Sequence, residues 1–341
     1  MDCKQFDGQV VRLERFKDIA DKFVRVRLTR IDTLDLSLFE FDYDLTMMIF
    51  FMNADEKMYA RYGGRDAKNA DDRQSLEGLR YTMLSVLTMH EREDKEFALR
   101  TPDAPKSART GGGKGCMHCH HVRERLNDNL KRNGQWTREM FYRYPLPENV
   151  GIELEVNRGN IVKSVKDKSP ADAVGLKPGD LVKRINGVPI HSFGDAQFAL
   201  DHAPKIGAID IAWQRNADLL TGKLALSEGW RKGEIAWRPS VQWYIPQARI
   251  SGADLDAAER KALGLTEMQL AFRQRDAISR QASDAGIRPG DIILGVDDRK
   301  LDMGVVNFQY YIQRSYFEGD RVTVNLLRDG KRLNVPMTLH R

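Results

Sequence analysis

The sequence predicts a multidomain chain: an α/β domain at the N-terminus followed by two mainly-β α+β modules. Three observations carry that prediction. At 341 residues the chain is longer than one hydrophobic core usually serves. Its N-terminal part is patterned as helix, strand, strand, helix. Its second half states one turn sequence twice, Gly175-Leu176-Lys177-Pro178-Gly179-Asp180 and Gly286-Ile287-Arg288-Pro289-Gly290-Asp291.

Residues 6–23 read as a helix, with Phe6, Val10, Leu13, Ile19 and Phe23 at helical spacing. The alternation of Val24, Val26 and Leu28 predicts a strand over 23–28. A continuous apolar run over 46–52 predicts another, Asn53-Ala54-Asp55-Glu56 a turn, and 57–62 its partner, ended by Gly63-Gly64. Residues 75–91 close the domain as a helix with Leu76, Leu79, Met83, Leu87 and His90 on one face. The run Asp2-Cys3-Lys4 opening a helix, residues 22–28 and Met48 to Asp55 together resemble a divergent thioredoxin-like domain over 1–100, without its first strand. That resemblance places Cys3 where the second cysteine of the redox pair stands. A first cysteine is missing, and Leu45 or Thr46 replaces the family's proline, so it implies a degenerate scaffold with Cys3 as a residual thiol that lacks a resolving partner.

Residues 101–147 read as a linker and short helix. Pro102, Pro105 and Thr110-Gly111-Gly112-Gly113-Lys114-Gly115 mark the linker, without the spacing of a phosphate loop. Cys116-Met117-His118-Cys119-His120 then satisfies C-x-x-C-H, the attachment signature of c-type haem. Two thiols one helical turn apart can each add to a vinyl group of the porphyrin, and the next histidine meets the iron. Val122, Leu126 and Leu130 predict the helix that carries the ring, and His90, His121 and Met117 are the distal candidates. Other chemistries share these residues. Cys116, His118, Cys119, His120 and His121 are also ligands for zinc or copper, and Cys-x-His-Cys heading a helix resembles the dithiol of periplasmic disulfide oxidases. A plain disulfide or a free thiol pair in a surface loop completes the set.

Composition bounds the function. The chain is 41% hydrophobic and 30% charged with a net charge of +5, its basic residues interleaved with acidic ones, so a nucleic-acid partner is not expected. The longest apolar stretch, Met47 to Met52, is too short for a membrane span, and Met1-Asp2-Cys3-Lys4 does not open a signal peptide. A cytoplasmic protein or an exported one lacking its leader fits; the cysteine motif favours the periplasm or another exported setting. Three cysteines do not decide the compartment by themselves.

From residue 148 the character changes. Glu148-Asn149-Val150-Gly151-Ile152-Glu153-Leu154, Ser169-Pro170-Ala171, the first copy of the repeat and Ile185-Asn186-Gly187 follow in order. They resemble a bacterial PDZ domain of the kind appended to Deg/HtrA-like proteases, here over 148–228. The resemblance implies a peptide or protein C-terminus as partner, with Val150, Gly151, Ile152 and Leu154 on the loop and edge strand and Ala196 and Leu200 on the facing helix. A packing role, with the groove taken by the chain's own Leu146-Pro147 arm, is the other reading. A second copy is expected over 258–341, with Leu263-Gly264-Leu265-Thr266-Glu267 as its carboxylate loop, where Glu267 would repel a peptide terminus. Residues 229–257, with Trp230, Trp237, Trp243, Tyr244 and Pro246, form an aromatic bridge expected to join the two modules into one body. With no Gly-x-Ser-x-Gly, a hydrolase is not expected. The sequence thus predicts an exported redox or electron-transfer protein with covalent haem at Cys116, Cys119 and His120 and PDZ-mediated docking. The alternative is a non-catalytic PDZ adaptor whose Cys-His cluster binds zinc or copper or is a simple dithiol.

Overall fold

A computed structural model describes residues 17–92, except 29, 32, 33, 46, 70 and 71, together with 95, 97 and 118–341. The chain divides into two compact units, one ending at Ser240 and one starting at Val241.

The first unit opens with α1 (Lys17–Ala20), β1 (Ile49–Met52), β2 (Met58–Tyr62) and α2 (Leu76–Glu91). Strands β1 and β2 form an antiparallel hairpin, with Ile49 opposite Tyr62 and Phe51 opposite Ala60. Asn53 shapes the turn, its side-chain oxygen accepting the N–H groups of Asp55 and Lys57 at 3.0 and 2.9 Å. Ser75 caps α2 by accepting the Gly78 N–H at 2.9 Å. The helix buries Leu79, Met83, Val86 and Met89 against Phe51, Tyr59 and Tyr62. This stripe is rotated from the expected one: the side chain of His90 meets the Tyr59 hydroxyl at 2.8 Å at the margin.

The expected strand over 23–28 does not form. Val24, Val26 and Leu28 are 94%, 74% and 52% exposed and join no ladder. Alternation makes a strand only where a neighbour supplies hydrogen bonds, and among the described residues the N-terminal sheet has two strands. A thioredoxin-like core, which needs that segment in its sheet, is therefore corrected to a hairpin covered by a helix. The first part of the helix expected over 6–23 lies outside the described residues; its end survives as α1.

Helix α3 (Cys119–Arg132) follows, packing Val122 and Leu126 onto Ile31, Leu36, Phe41 and Tyr43. The first module then contains β3 (Ile152–Leu154), β4 (Val162–Val165), α4 (Pro170–Ala173), β5 (Leu181–Ile185), β6 (Val188–Pro189), α5 (Phe193–Asp201), β7 (Gly207–Arg215) and β8 (Asp218–Leu226). β3 pairs with β4 on one edge, β4 reaches β5 through a bridge at Ile161 and Leu181, and β5 continues to β7 and β8.

The second unit repeats the plan with β9 (Gly252–Asp254), α6 (Ala257–Ala262), β10 (Phe272–Gln274), α7 (Arg280–Asp284), β11 (Ile292–Val296), α8 (Val305–Ser315), β12 (Arg321–Arg328) and β13 (Lys331–Thr338). Its sheet order is β13-β12-β11-β10-β9. The repeat is kept in detail. Ser169 and Ser279 cap α4 and α7, each accepting the N–H three residues on. Arg215 chelates Asp180 and Arg328 chelates Asp291, each carboxylate also accepting the N–H three residues back. The aromatic segment is shared out: Trp230 and Trp237 belong to the first unit, Trp243 and Tyr244 to the second.

Candidate functional site

In the first module, β3 and α5 are the two walls of a groove, entered from the loop around Gly151. Gly151 has φ +89°, and a Cβ there would fall 2.0 Å from the Ser169 hydroxyl, so the turn requires glycine. Val150, Ile152, Leu154, Ala196 and Leu200, the residues expected at a peptide site, lie in one buried core, all at most 3% exposed. The N-terminal layer closes them in: Leu38 and Met58 join the same core, with Phe39, Phe50 and Met52 packed against it.

Helix α5 shows how complete the closure is. A helix lying on a sheet keeps one solvent face, yet every residue of α5 is buried, Asp195, Gln197 and Asp201 included. Their partners come from elsewhere in the unit. Asp195 accepts the Arg61 N–H at 2.7 Å and the His191 N–H at 3.1 Å. Gln197 donates to the Tyr144 carbonyl at 2.9 Å, and Asp201 accepts the Tyr144 N–H at 2.8 Å and the Arg143 guanidinium at 2.8 and 2.9 Å. The Arg61 guanidinium lies 3.6 Å from the centre of the Phe198 ring. Backbone approach is close as well, since a Cβ on Gly64 would sit 2.4 Å from the Phe193 ring. Arg73 crosses the groove mouth, 2.6 Å from Glu148 on the loop into β3 and 5.2 Å from the Phe193 ring on α5, while Asp66 holds it at 2.9 Å.

These charges are tuned by burial and pairing. Burial pushes Asp195 up to about 7, against the opposing Arg61 and His191 contacts. Burial would also raise Asp201, but Arg143 outweighs it and holds the carboxyl well below the ordinary aspartate range. Glu148 is raised by burial, with Arg73 opposing. Burial disfavours His202 as a cation, but Glu40, 3.4 Å away, raises it overall.

The second module repeats these elements in β9 and α8. Gly151 corresponds to Arg249, also at positive φ (+55°), flanked by buried Ala248 and Ile250 as Gly151 is by Val150 and Ile152. Ser279 reaches this loop, donating to the Arg249 carbonyl at 2.8 Å. The expected carboxylate loop at 263–267 instead leaves the C-terminal end of α6, a helix inserted between β9 and β10; Gly264 there has φ +66°. Strand β9 is outermost in its sheet. Leu255 N–H donates to Ala271 and Arg275 N–H to the Ser251 carbonyl, so positions 251, 253 and 255 face β10 and the backbone of Gly252 and Asp254 points outward. Helix α8 buries Phe308 and Ile312 but leaves Val306 and Tyr310 65% and 52% exposed. Two side chains cross between these walls: Gln309 donates to the Ile250 carbonyl at 2.7 Å, and Asp254 accepts the Val305 N–H at 3.0 Å.

Of the predicted cofactor residues, Cys3, Cys116 and Met117 lie outside the described residues. His118 is the N-cap of α3, and Cys119 is half-buried beside Val122. The rings of His118, His120 and His121 gather with centroids 4.3–5.7 Å apart, and His120 Nδ1 meets Glu124 Oε1 at 2.8 Å. Sequence reasoning missed Glu124, although its place four residues after His120 was the available signal. His90 is engaged with Tyr59. Among the described residues Ser85 Oγ meets His191 Nδ1 at 2.7 Å, but His191 is buried between α2 and the first module, and Asp195 takes its backbone N–H. A hydrolytic triad needs an accessible serine with the carboxylate on the imidazole, which this pair does not offer.

Comparison with known proteins agrees with the two modules. Residues 161–212 and 278–339 each match the PDZ domain family. A probable periplasmic serine endoprotease DegP-like of Ectopseudomonas mendocina is 24% identical over 251 residues, which cover 65% of this chain and 48% of the relative. A probable periplasmic serine protease do/HhoA-like of Haemophilus influenzae is 26% identical over 182 residues, 52% of this chain and 34% of the relative. A DegP-like relative of Buchnera aphidicola subsp. Baizongia pistaciae is 35% identical over 65 residues, 19% of this chain and 14% of its own length. The chain thus spans less than half the length of these curated relatives. Among solved structures, the HtrA-type protease AlgW with a decapeptide aligns over 49% of this chain and 51% of its own, at 16% identity and a TM-score of 0.25. The chain carries two PDZ domains. The expectation of a haem redox protein is corrected here, because the relatives are periplasmic serine proteases and the matched family is PDZ, without a haem, redox or thioredoxin relative among them.

Proposed function

We propose that this chain is an exported docking protein in which the second PDZ domain takes an extended partner segment and the first is closed by its own chain. The observation that carries it is the contrast between the helical walls: α5 buries all its residues, whereas α8 keeps a solvent face beside the outward backbone of β9. A PDZ domain binds by adding a strand to such an edge. Arg249, exposed and at positive φ on the loop before β9, offers a guanidinium that can pair with a peptide carboxylate. The periplasmic setting of the relatives supports the exported location.

The test uses the full chain and fluorescent decapeptides with an apolar last residue, each as free acid and as amide. The free acids bind; Arg249→Glu weakens them by about tenfold or more and leaves the amides little changed. Gln309→Ala, which frees the Ile250 carbonyl, tightens both. Hydrogen exchange with peptide bound protects β9 and α8. Protection of β3 and α5 instead, or an acid-over-amide preference that Arg249→Glu leaves unchanged, refutes the assignment.

A further inference from the structure

From the histidine cluster at the head of α3 we infer a zinc-class divalent metal site formed by His120, His121 and Glu124, with His118 beside its open position. This is independent of the docking reading, since the site is built on another element. One ligand atom from each of the three residues lies within 4.8 Å of the others. A tetrahedral ion with metal–ligand bonds near 2.0–2.2 Å draws its ligands to roughly 3.5 Å apart, a closure that rotation of these half-buried side chains supplies. The set is two imidazoles and a carboxylate, which suits zinc over hard cations such as calcium or magnesium.

The contacts already present point the same way. His120 Nδ1 and Glu124 Oε1 already stand 2.8 Å apart; a divalent ion held by both replaces that hydrogen bond, and the carboxylate offsets the ion's charge. The His120 and His121 rings stand with centroids 4.3 Å apart, and the His118 ring is 5.3 and 5.7 Å from them. His118 is the N-cap residue, so its backbone already differs from the helix and its ring can complete a fourth position where water does not. A cation at a helix N-terminus meets the unfavourable end of the helix dipole, and Glu124, one turn on, supplies the compensating negative charge. Because α3 is anchored by Val122 onto Ile31, Leu36, Phe41 and Tyr43, binding there also tightens the start of a helix that the first unit uses in its packing.

The experiment is zinc titration of the full, chelator-stripped chain by calorimetry, repeated with cobalt to read the ligand set from its visible absorption. One equivalent is expected to bind. His120→Ala and His121→Ala each weaken it by tenfold or more, and Glu124→Gln, which preserves shape, weakens it by about 10–100-fold. His340→Ala, in the other unit, leaves it unchanged. Zinc raises the melting temperature, and the rise disappears in the His120→Ala chain. Circular dichroism confirms that each variant is folded, and the isosteric Glu124→Gln reads the site even if an alanine variant is not. A parallel titration after cysteine alkylation keeps the affinity. The inference is overturned if micromolar zinc is not taken up, if the histidine and glutamate variants bind as the parent does, or if alkylation abolishes a binding that His120→Ala leaves intact.

Discussion

Removing Asp201 should open the closed groove of the first PDZ domain. Its carboxylate is buried on α5 and accepts the Arg143 guanidinium, the Tyr144 N–H at 2.8 Å and, more distantly, Arg231 at 3.6 Å. Breaking a buried pair by deleting one partner costs about 3–5 kcal/mol, because the other charge stays without compensation. The Arg143 side chain is one-third exposed, so solvent screens part of this and leaves about 2–3 kcal/mol. The stranded Tyr144 N–H adds about 1 kcal/mol. Asp201→Ala is therefore expected to destabilise the first unit by about 3–4 kcal/mol, a fall in melting temperature on the order of 10 °C for a unit of this size. Tryptophan fluorescence reads it selectively, since Trp136, Trp213, Trp230 and Trp237 lie in the first unit and Trp243 in the second. A cycle with Arg143→Ala should show a coupling of about 2 kcal/mol, and amide exchange in α5 should accelerate. A loss under 1 kcal/mol, or single variants that simply add, would show that the closure rests on apolar packing alone.

Three further outcomes follow from the same contacts. Asp195 and His202 both have folded pKa values above their unfolded ones, so their contributions are complete below the unfolded values and fade as pH rises through the folded ones. The first unit should thus lose stability between about pH 4 and 8, and Asp195→Asn with His202→Gln should flatten that slope in urea titrations. Asp201 acts with the opposite sign: its depressed pKa gives stability that is lost as pH falls below the ordinary aspartate range, so an acid limb should vanish in Asp201→Asn. Gly64→Ala places a Cβ 2.4 Å from the Phe193 ring at φ +156° and Gly151→Ala places one 2.0 Å from the Ser169 hydroxyl at φ +89°. Each should cost on the order of 2–4 kcal/mol by thermal melts, and no measurable loss at either would contradict the closeness of these approaches.

The two PDZ domains were legible because turn chemistry carries them: Gly175 and Gly179, like Gly286 and Gly290, have positive φ, and each aspartate after the second glycine holds its arginine. The helix over 75–91 and the turn at Asn53 were read for similar local reasons. Failures came where a tertiary partner decides. Residues 23–28 alternate like a strand, but among the described residues they join no sheet. Asp195, Gln197 and Asp201 look like the solvent face of a helix, and only Arg61, Arg143 and Tyr144, distant in sequence, make them interior. The second groove was missed because Arg249 takes the left-handed position where glycine is the usual signal. The C-x-x-C-H match is a local pattern that many chemistries share, and the relatives of the chain do not support haem for it.

In the proposed function the two grooves differ in use because the chain covers one of them itself. An apolar wall such as Val150, Ile152 and Leu200 gains by being covered, whether by a partner or by the same chain. A covering segment in the same polypeptide does not lose translational freedom on docking, and its effective concentration is of millimolar order. A free peptide present at micromolar levels would then face a competitor about a thousandfold more concentrated, even for equal contacts. The cover also brings Arg61, Arg73, Arg143 and Tyr144 to charges that the helix and loop would otherwise bury unpaired. The second groove is crossed by Gln309 and Asp254, whose hydrogen bonds to the Ile250 carbonyl and from the Val305 N–H are each worth about 1 kcal/mol, and a strand added along the backbone of Gly252 and Asp254 can offset them with several.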